Sequence, residues 1–368
     1  VRMSTPLVRT GAVLATAAAF VLGGLAPTAP APVAEAASAE VADGWKTYQL
    51  KTPNARYDSI YAAGSEAWIV GTVNPYPTHS TVVQHFDGKT WSPMTVPHVG
   101  YGMVITGTSA SNLWIGGSSD ATNATAHFDG RQWTTYPVPD QWTVVQMLAV
   151  APNNVWAVTQ TPSDSPVYHG QRLIHFDGRS WSLVTPPQVA GYTEPDIEIS
   201  GSGAGDVWVN YSDRNGKKNT LLRASGTTFT VLPSPGYGVK VVPLSANDAW
   251  ARGPVVASNG NGDSKSNALH WDGRSWKTVD DGQKWTTYEP RVVANGTVWA
   301  NKTEYYSGYG KVTLVRWVGG RWQTVPGMSG IGSDSVLQYV APTPKSSPWA
   351  LMAQGREKNR QDVRVYTG

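Results

Sequence analysis

The 368-residue chain contains no cysteine. That excludes disulfide cross-links, thiolate metal centres, cysteine-linked lipid anchors and any copper cofactor built on a Cys–Tyr crosslink. Charge is also scarce. Asp, Glu, Lys and Arg make up 15% of the residues, the net charge is +3, and the nearest approach to a basic run is Lys217-Lys218. A nucleic-acid partner requires a basic patch, so that class of function is set aside. There is no G-x-S-x-G, no H-E-x-x-H and no phosphate-binding glycine loop, hence no local signature of a serine hydrolase, a zinc protease or a nucleotide-binding enzyme.

Long apolar runs are equally rare. One stretch, Gly11 to Leu25, is rich in Ala, Val and Leu. It follows Arg2 and Arg9 and precedes a Pro/Ala segment ending in Ala37-Ser38-Ala39, a small-x-small cleavage pattern. Its length of about 15 residues falls short of the roughly 20 that a membrane span needs. Residues 1–39 therefore read as a secretory signal peptide. The expectation is a secreted, extracellular chain of residues 40–368 with no membrane insertion. Removing Arg2, Arg9 and Glu35 lowers the net charge from +3 to +2. Without disulfides, such a chain must hold together by packing and hydrogen bonding, and its length suffices for a large core.

What the chain has in abundance is tryptophan: 17 residues, against five Phe. Two series account for most of them. One is Trp68, Trp114, Trp156, Trp208, Trp250, Trp299 and Trp349; the other is Trp45, Trp91, Trp133, Trp181, Phe229, Trp276 and Trp322. Successive members lie 42 to 52 residues apart. A period of about 40–50 residues, with four strands per unit, marks a β-propeller blade. Asp-Gly supplies a tight turn at Asp87, Asp129, Asp177 and Asp272, where a short hairpin needs positive φ. The strand around each first-series Trp is apolar on both faces, as in Val155-Trp156-Ala157-Val158, which is the pattern of a strand buried on both sides. The fold class predicted is an all-β, seven-bladed propeller of four-stranded antiparallel blades. Trp45-Lys46-Thr47-Tyr48 matches a fourth strand and Asp362–Tyr366 a third. The N-terminal strand is thus expected to complete the C-terminal blade and close the ring, which leaves no open edge.

Asn153-Asn154-Val155-Trp156-Ala157-Val158 and His175-Phe176-Asp177-Gly178-Arg179-Ser180-Trp181 resemble the N-D-V-W-A-V-G and H-[F/W]-D-G-x-x-W motifs of secreted actinobacterial β-propeller repeat proteins. The resemblance runs through residues 45–368 and departs most at Arg223–Phe229. It implies architecture and export, and brings no shared activity. The turn is one residue shorter than the Asp-box of sialidases, so no sialidase chemistry follows from it.

Function must lie in what remains once the repeat is subtracted. His85, His127, His175 and His270 share one slot, filled elsewhere by Arg223, Arg316 and Arg364. A residue repeated in every unit is structural, bonded to a turn carbonyl or a neighbouring side chain. Trp142 and Trp285 fall outside both Trp series, in the connection from a fourth strand to the next first strand, where other units carry Tyr57, Tyr101, Tyr192 and Tyr237. One reading is that these rings cap the inner strands and pack on Pro53, Pro139, Pro187 or Pro233. The other is that they form a rosette of stacking surfaces on the loop-rich face, suited to sugar C–H faces or to a protein.

The preferred function is non-catalytic recognition of an extracellular glycan or polysaccharide by Tyr57, Tyr101, Trp142, Tyr192, Tyr237 and Trp285. The alternatives are a protein-interaction module of a secreted assembly and a glycan-processing enzyme. The enzyme reading would use Glu194, Asp196 and Glu198, with Glu289 and Asp58 on other inner strands, as acid/base groups. Asn259-Gly260-Asn261-Gly262-Asp263 spaces oxygen ligands but lacks the acid that closes a calcium loop. No cofactor, metal or catalytic residue is assigned.

Overall fold

A computed structural model of the chain describes residues 40–42, 44–50, 55–73, 80–118, 124–161, 170–202, 206–214, 218–226, 228–236, 239–294, 296–306, 309–331, 337–340, 348–353 and 361–366. The predicted signal segment 1–39 lies outside them. Among the described residues the structure is antiparallel sheet, interrupted by two short 3-10 turns at Pro139–Gln141 and Pro187–Val189. None of their helices is long and apolar enough to cross a membrane.

Six sheets have four strands whose spatial order is their chain order. The first comprises Ala55–Ala63, Glu66–Val73, Ser80–Phe86 and Trp91–Met94; the second, Tyr101–Ser109, Asn112–Ser118, Ala124–Phe128 and Trp133–Pro137. The third comprises Thr143–Ala151, Asn154–Gln160, Gln171–Phe176 and Trp181–Val184; the fourth, Pro195–Gly201, Val207–Asp213, Asn219–Ser225 and Thr228–Leu232. The fifth comprises Val241–Ser245, Asp248–Arg252, Ala268–Trp271 and Trp276–Val279; the sixth, Thr286–Ala294, Thr297–Tyr306, Tyr309–Val318 and Arg321–Ile331. The last sheet draws Leu337–Val340, Trp349–Ala353 and Gln361–Tyr366 from one end of the chain. Trp45–Gln49 from the other end pairs with it, Trp45 opposite Tyr366 and Gln49 opposite Asp362.

The second strands behave as their composition demands. Val207–Asp213 is buried at every position, and Asn154–Gln160 at all but its ends. Each is covered on both faces by a neighbouring sheet, and the core is a series of apolar clusters between consecutive sheets. The two tryptophan series explain themselves here. Trp114 of the second sheet meets Phe176 at 4.7 Å and Trp181 at 5.8 Å, both from the third. Trp250 of the fifth meets Trp317 and Trp322 of the sixth at 4.8 and 5.3 Å. Trp349 of the last sheet meets Phe86 and Trp91 of the first at 5.2 and 5.9 Å. The repeated aromatics thus lock one sheet to the next, in the offset and edge-on arrangements their ring quadrupoles favour.

The repeated histidines are structural, as expected. Each stacks on the Trp of its own second strand, His127 on Trp114 at 4.5 Å and His85 on Trp68 at 4.8 Å. Each Nε2–H donates to the residue two before that Trp: His85 to Glu66 (2.7 Å), His127 to Asn112 (2.6 Å), His175 to Asn154 (2.9 Å) and His270 to Asp248 (3.0 Å). The Asp-Gly turns are equally regular. Asp129 Oδ1 accepts from Arg131 N and Gln132 N at 2.8 Å, and Asp177 Oδ1 from Arg179 N and Ser180 N at 2.9 and 3.0 Å. Gly130 and Gly178 follow at φ 92° and 97°. A Cβ on Gly178 would stand 2.8 Å from Asn153 Cβ, so glycine is required there twice over.

Burial depresses the pKa of His127 and His175, against the pull of Asp129 and Asp177. A base with a lowered folded pKa is penalised by acid: above about pH 6.5 both states are neutral, and below it the unfolded chain takes up the proton first. Stability is therefore expected to fall as pH drops through 6.5 and to level off below the depressed values. Denaturant midpoints between pH 7.5 and 5 test this. The double variant His127→Gln with His175→Gln should show a shallower slope, and an unchanged slope would reject the assignment.

Candidate functional site

First strands of neighbouring sheets do not share a backbone ladder, so side chains join them. Ser59 Oγ accepts from Ile105 N (3.3 Å), and Thr106 Oγ1 from Ala149 N (3.3 Å). The Gln146 amide reaches across to the fourth sheet, donating to Ile197 O and accepting from Ile199 N, both at 3.1 Å. These strands border a cavity of about 450 Å³.

One repeat position dominates its wall. It is the first-strand residue opposite the second residue after each second-strand Trp. Ser59 lies opposite Val70, Val104 opposite Gly116, Gln146 opposite Val158, Glu198 opposite Asn210 and Glu289 opposite Asn301. Continuing the Val241–Ala251 pairing by one residue sets Lys240 opposite Arg252. All six line the cavity, Lys240 from the position just before its strand. The framework slots hold His or Trp sheet after sheet; this slot holds a hydroxyl, an isopropyl, an amide, two carboxylates and an ammonium.

The charges are coupled. Burial pushes the Glu198 carboxyl up; Lys240 and a Gln146 hydrogen bond oppose this, and Asp196 and Glu289 add to it. Lys240 lines the cavity and is exposed to solvent there, with many protein atoms nearby. That crowding holds its ammonium below the usual lysine value, with Glu198 working against the effect. Glu289 pairs with Arg291 at 2.8 Å. Lys240, Arg252 and Gln146 were not singled out by sequence reasoning. The signal for them was present, since all three occupy or face a slot that changes from unit to unit.

The acids named from the sequence divide. Asp196 and Glu198 are two apart on one strand, and Glu198 shares the cavity with Glu289. Glu194 precedes that strand with a left-handed φ of 46° and pairs with Arg214 at 3.0 Å. It lines a separate groove of about 250 Å³ between the third and fourth sheets, with Arg172, Leu183, Tyr192 and Tyr211. Asp58 is paired with Arg56 at 3.0 Å; its pKa is raised by burial and restrained by that partner.

The aromatic rosette is only partly an exposed surface. Tyr57 is 3% exposed and packs in the cluster between the last and first sheets. Trp142 is 7% exposed, with the Arg172 guanidinium 3.7 Å from its ring centre. Arg172 is held in turn by an ion pair with Asp140. For these two the capping role wins, because a chain climbing from a fourth strand to the next first strand must seal the end of the core. Tyr101, Tyr192 and Trp285 are half-buried. Tyr192 donates to or accepts from Thr220 Oγ1 at 2.7 Å and packs on Tyr211. Trp285 has φ 49°, and its carbonyl accepts from Tyr305 N at 2.9 Å. Tyr237 lies outside the described residues.

Two long insertions are built as hairpins. Ala257–Ser258 pairs with Ser264–Lys265, and the Asn259–Asp263 turn between them is closed internally: Asn259 Oδ1 accepts from Asn261 N and Asp263 N, and its Nδ2 donates to Asp263 Oδ2 at 2.8 Å. The other extends the Thr297–Tyr306 and Tyr309–Val318 strands and exposes Tyr306.

No protein-family model and no curated protein sequence matches the chain. Solved structures do. YCF48 bound to a D1 peptide is 13% identical with a TM-score of 0.55, covering 90% of this chain and 99% of that one. The β-propeller domain of the Trilobed protease from Pyrococcus furiosus is 8% identical with a TM-score of 0.57, covering 85% and 93%. The acylaminoacyl peptidase of Pyrococcus horikoshii is 10% identical with a TM-score of 0.55; the match covers 82% of this chain and 50% of that protein. Identities this low speak to architecture alone, and together with the four-stranded antiparallel sheets they give the chain a β-propeller fold.

Proposed function

We propose that the protein is a secreted, non-catalytic binding module that takes a peptide segment of a protein partner at the cavity bordered by the first strands. The observation that carries this is the single repeat slot filled by Ser59, Val104, Gln146, Glu198, Lys240 and Glu289. Positions set by folding converge on one residue type; positions that meet a ligand diverge. The slot offers fixed charges of both signs together with an amide and a hydroxyl, which complements the mixed side chains of a peptide better than a neutral sugar. The YCF48 structure with a bound peptide accords with this use of the fold.

The architecture that goes with this reading is a closed ring of seven blades, with Trp45–Gln49 as the closing strand. Two contacts support it. Trp45 donates to Pro326 O at 3.0 Å and packs on Trp299 at 6.5 Å, joining the last sheet to the sixth, while Trp349 joins it to the first. Export rests on the signal-like segment 1–39 and on the resemblance to secreted actinobacterial repeat proteins.

A second reading, glycan recognition, keeps one specific support. Trp285 is a partly exposed aromatic held in a left-handed conformation that bulky residues avoid. A random peptide-display library and a glycan array, applied in parallel to the same protein, separate the two. The expected result is enrichment of one family of related peptides and a blank array. A glycan signal lost in Trp285→Ala would transfer the function to the second reading, and two blank screens would overturn the first.

A further inference from the structure

We infer that the paired cations Lys240 and Arg252 form a carboxylate-binding subsite in the central cavity, which anchors an acidic side chain or the C-terminus of the partner peptide. This rests on the peptide-binding reading above.

Lys240 immediately precedes the strand Val241–Ser245 and Arg252 ends the strand it pairs with, Val241 lying opposite Ala251, and both cations line the cavity. Like charges facing each other across a strand pair destabilise a sheet. Several other cations of the chain stand beside carboxylates. Arg291 holds Glu289, Arg214 holds Glu194, Lys302 holds Glu304 and Lys265 holds Asp280. Among the described residues, neither Lys240 nor Arg252 has a carboxylate within 4.0 Å. Glu198 is near enough to steady the Lys240 ammonium, while Arg291 works against it and Glu289 adds a smaller favourable contribution. Two donors of this kind, one a forked guanidinium and one a point charge, match the two oxygens of a carboxylate.

A bound carboxylate would offset the positive charge that Lys240 and Arg252 bring to the cavity and would give both cations the ion-pair partner they lack among the described residues. Such a subsite explains why the variable slot holds lysine in the fifth sheet, where a framework role would have placed it beside an acid.

The test uses the full chain and three short synthetic peptides of one sequence with an acetylated N-terminus. The first carries a free C-terminus, the second an amidated C-terminus with one internal Glu, and the third an amidated C-terminus with Gln in its place. Binding is followed by calorimetry at constant ionic strength. The first or the second is expected to bind, which also says whether the anchor is a chain end or a side chain, and the third is not. Lys240→Met and Arg252→Met should each weaken binding about tenfold, the scale of one hydrogen bond to a charged group, while Lys240→Arg retains it. The melting temperature of each Met variant is measured without peptide, and a cooperative melt well above the binding temperature keeps loss of binding distinct from loss of fold. Carboxylate peptides that bind the parent and both Met variants equally would overturn the subsite. If display selects peptides whose binding ignores both substitutions, the binding reading survives and the subsite fails. If free carboxylates bind through Lys240 and Arg252 but no peptide family emerges, the subsite stands and the peptide reading fails.

Discussion

A chain lacking residues 40–50 is expected to show no cooperative unfolding transition. Those residues supply the strand Trp45–Gln49, and with it two buried rings, Trp45 at 1% exposure and Tyr48 at 5%. Trp45 bonds Pro326 O and packs on Trp299. Tyr48 sits 5.0 Å from Phe86, 6.4 Å from Trp91 and 6.1 Å from Trp349. Truncating a buried aromatic costs about 3–5 kcal/mol, and a whole domain is stable by about 5–15 kcal/mol. Losing two such rings also strips the ladder partner of Gln361–Tyr366 and opens an edge for aggregation. The two rings alone account for about 6–10 kcal/mol, which is comparable to the whole reserve. Calorimetry and tryptophan fluorescence on the truncated chain are the measurements. A sharp melt at the parent temperature would show that the strand is dispensable and that the last sheet stands without it.

Trp142→Ala should destabilise the protein by about 3–5 kcal/mol, whereas Trp285→Ala should cost no more than about 1 kcal/mol, the usual scale of a partly exposed position. The two residues hold corresponding positions in the third and sixth sheets. Trp142 lies closed beneath Arg172, whose guanidinium is 3.7 Å from the ring centre and is tied on its far side to Asp140. Removing the indole leaves a void and takes the stacking surface from Arg172. Trp285 is only partly buried. Denaturant midpoints of the two variants give the comparison. Equal, small losses would return Trp142 to the list of candidate binding rings.

These two tryptophans also mark where sequence reasoning reaches its limit. Their departure from the two repeated Trp series is visible in one dimension. Whether an unrepeated ring is a cap or a contact depends on what covers it, and Arg172 approaches Trp142 from 30 residues further along the chain. The acids show the same limit. Glu194, Asp196 and Glu198 form a row in the sequence, yet a left-handed residue at Glu194 turns it into the groove beside Arg214 and leaves Glu198 in the cavity. Histidine worked the other way. Four residues in one slot were legible as framework, and each is found bonded to a side chain of the adjoining turn.

Local chemistry therefore settled the repeating part by itself. Aromatic spacing, two-faced apolar strands and Asp-Gly turns specify sheets of four antiparallel strands, because each depends only on neighbours in the chain and recurs until it is unmistakable. The cavity wall was decided in three dimensions. Ser59, Gln146, Glu198, Lys240 and Glu289 are separated by 42 to 87 residues, and only the packing of successive sheets brings them around one space. Glu198 and Lys240 move from their ordinary pKa values there because burial among protein atoms disfavours their charged forms, a property that neither residue carries on its own.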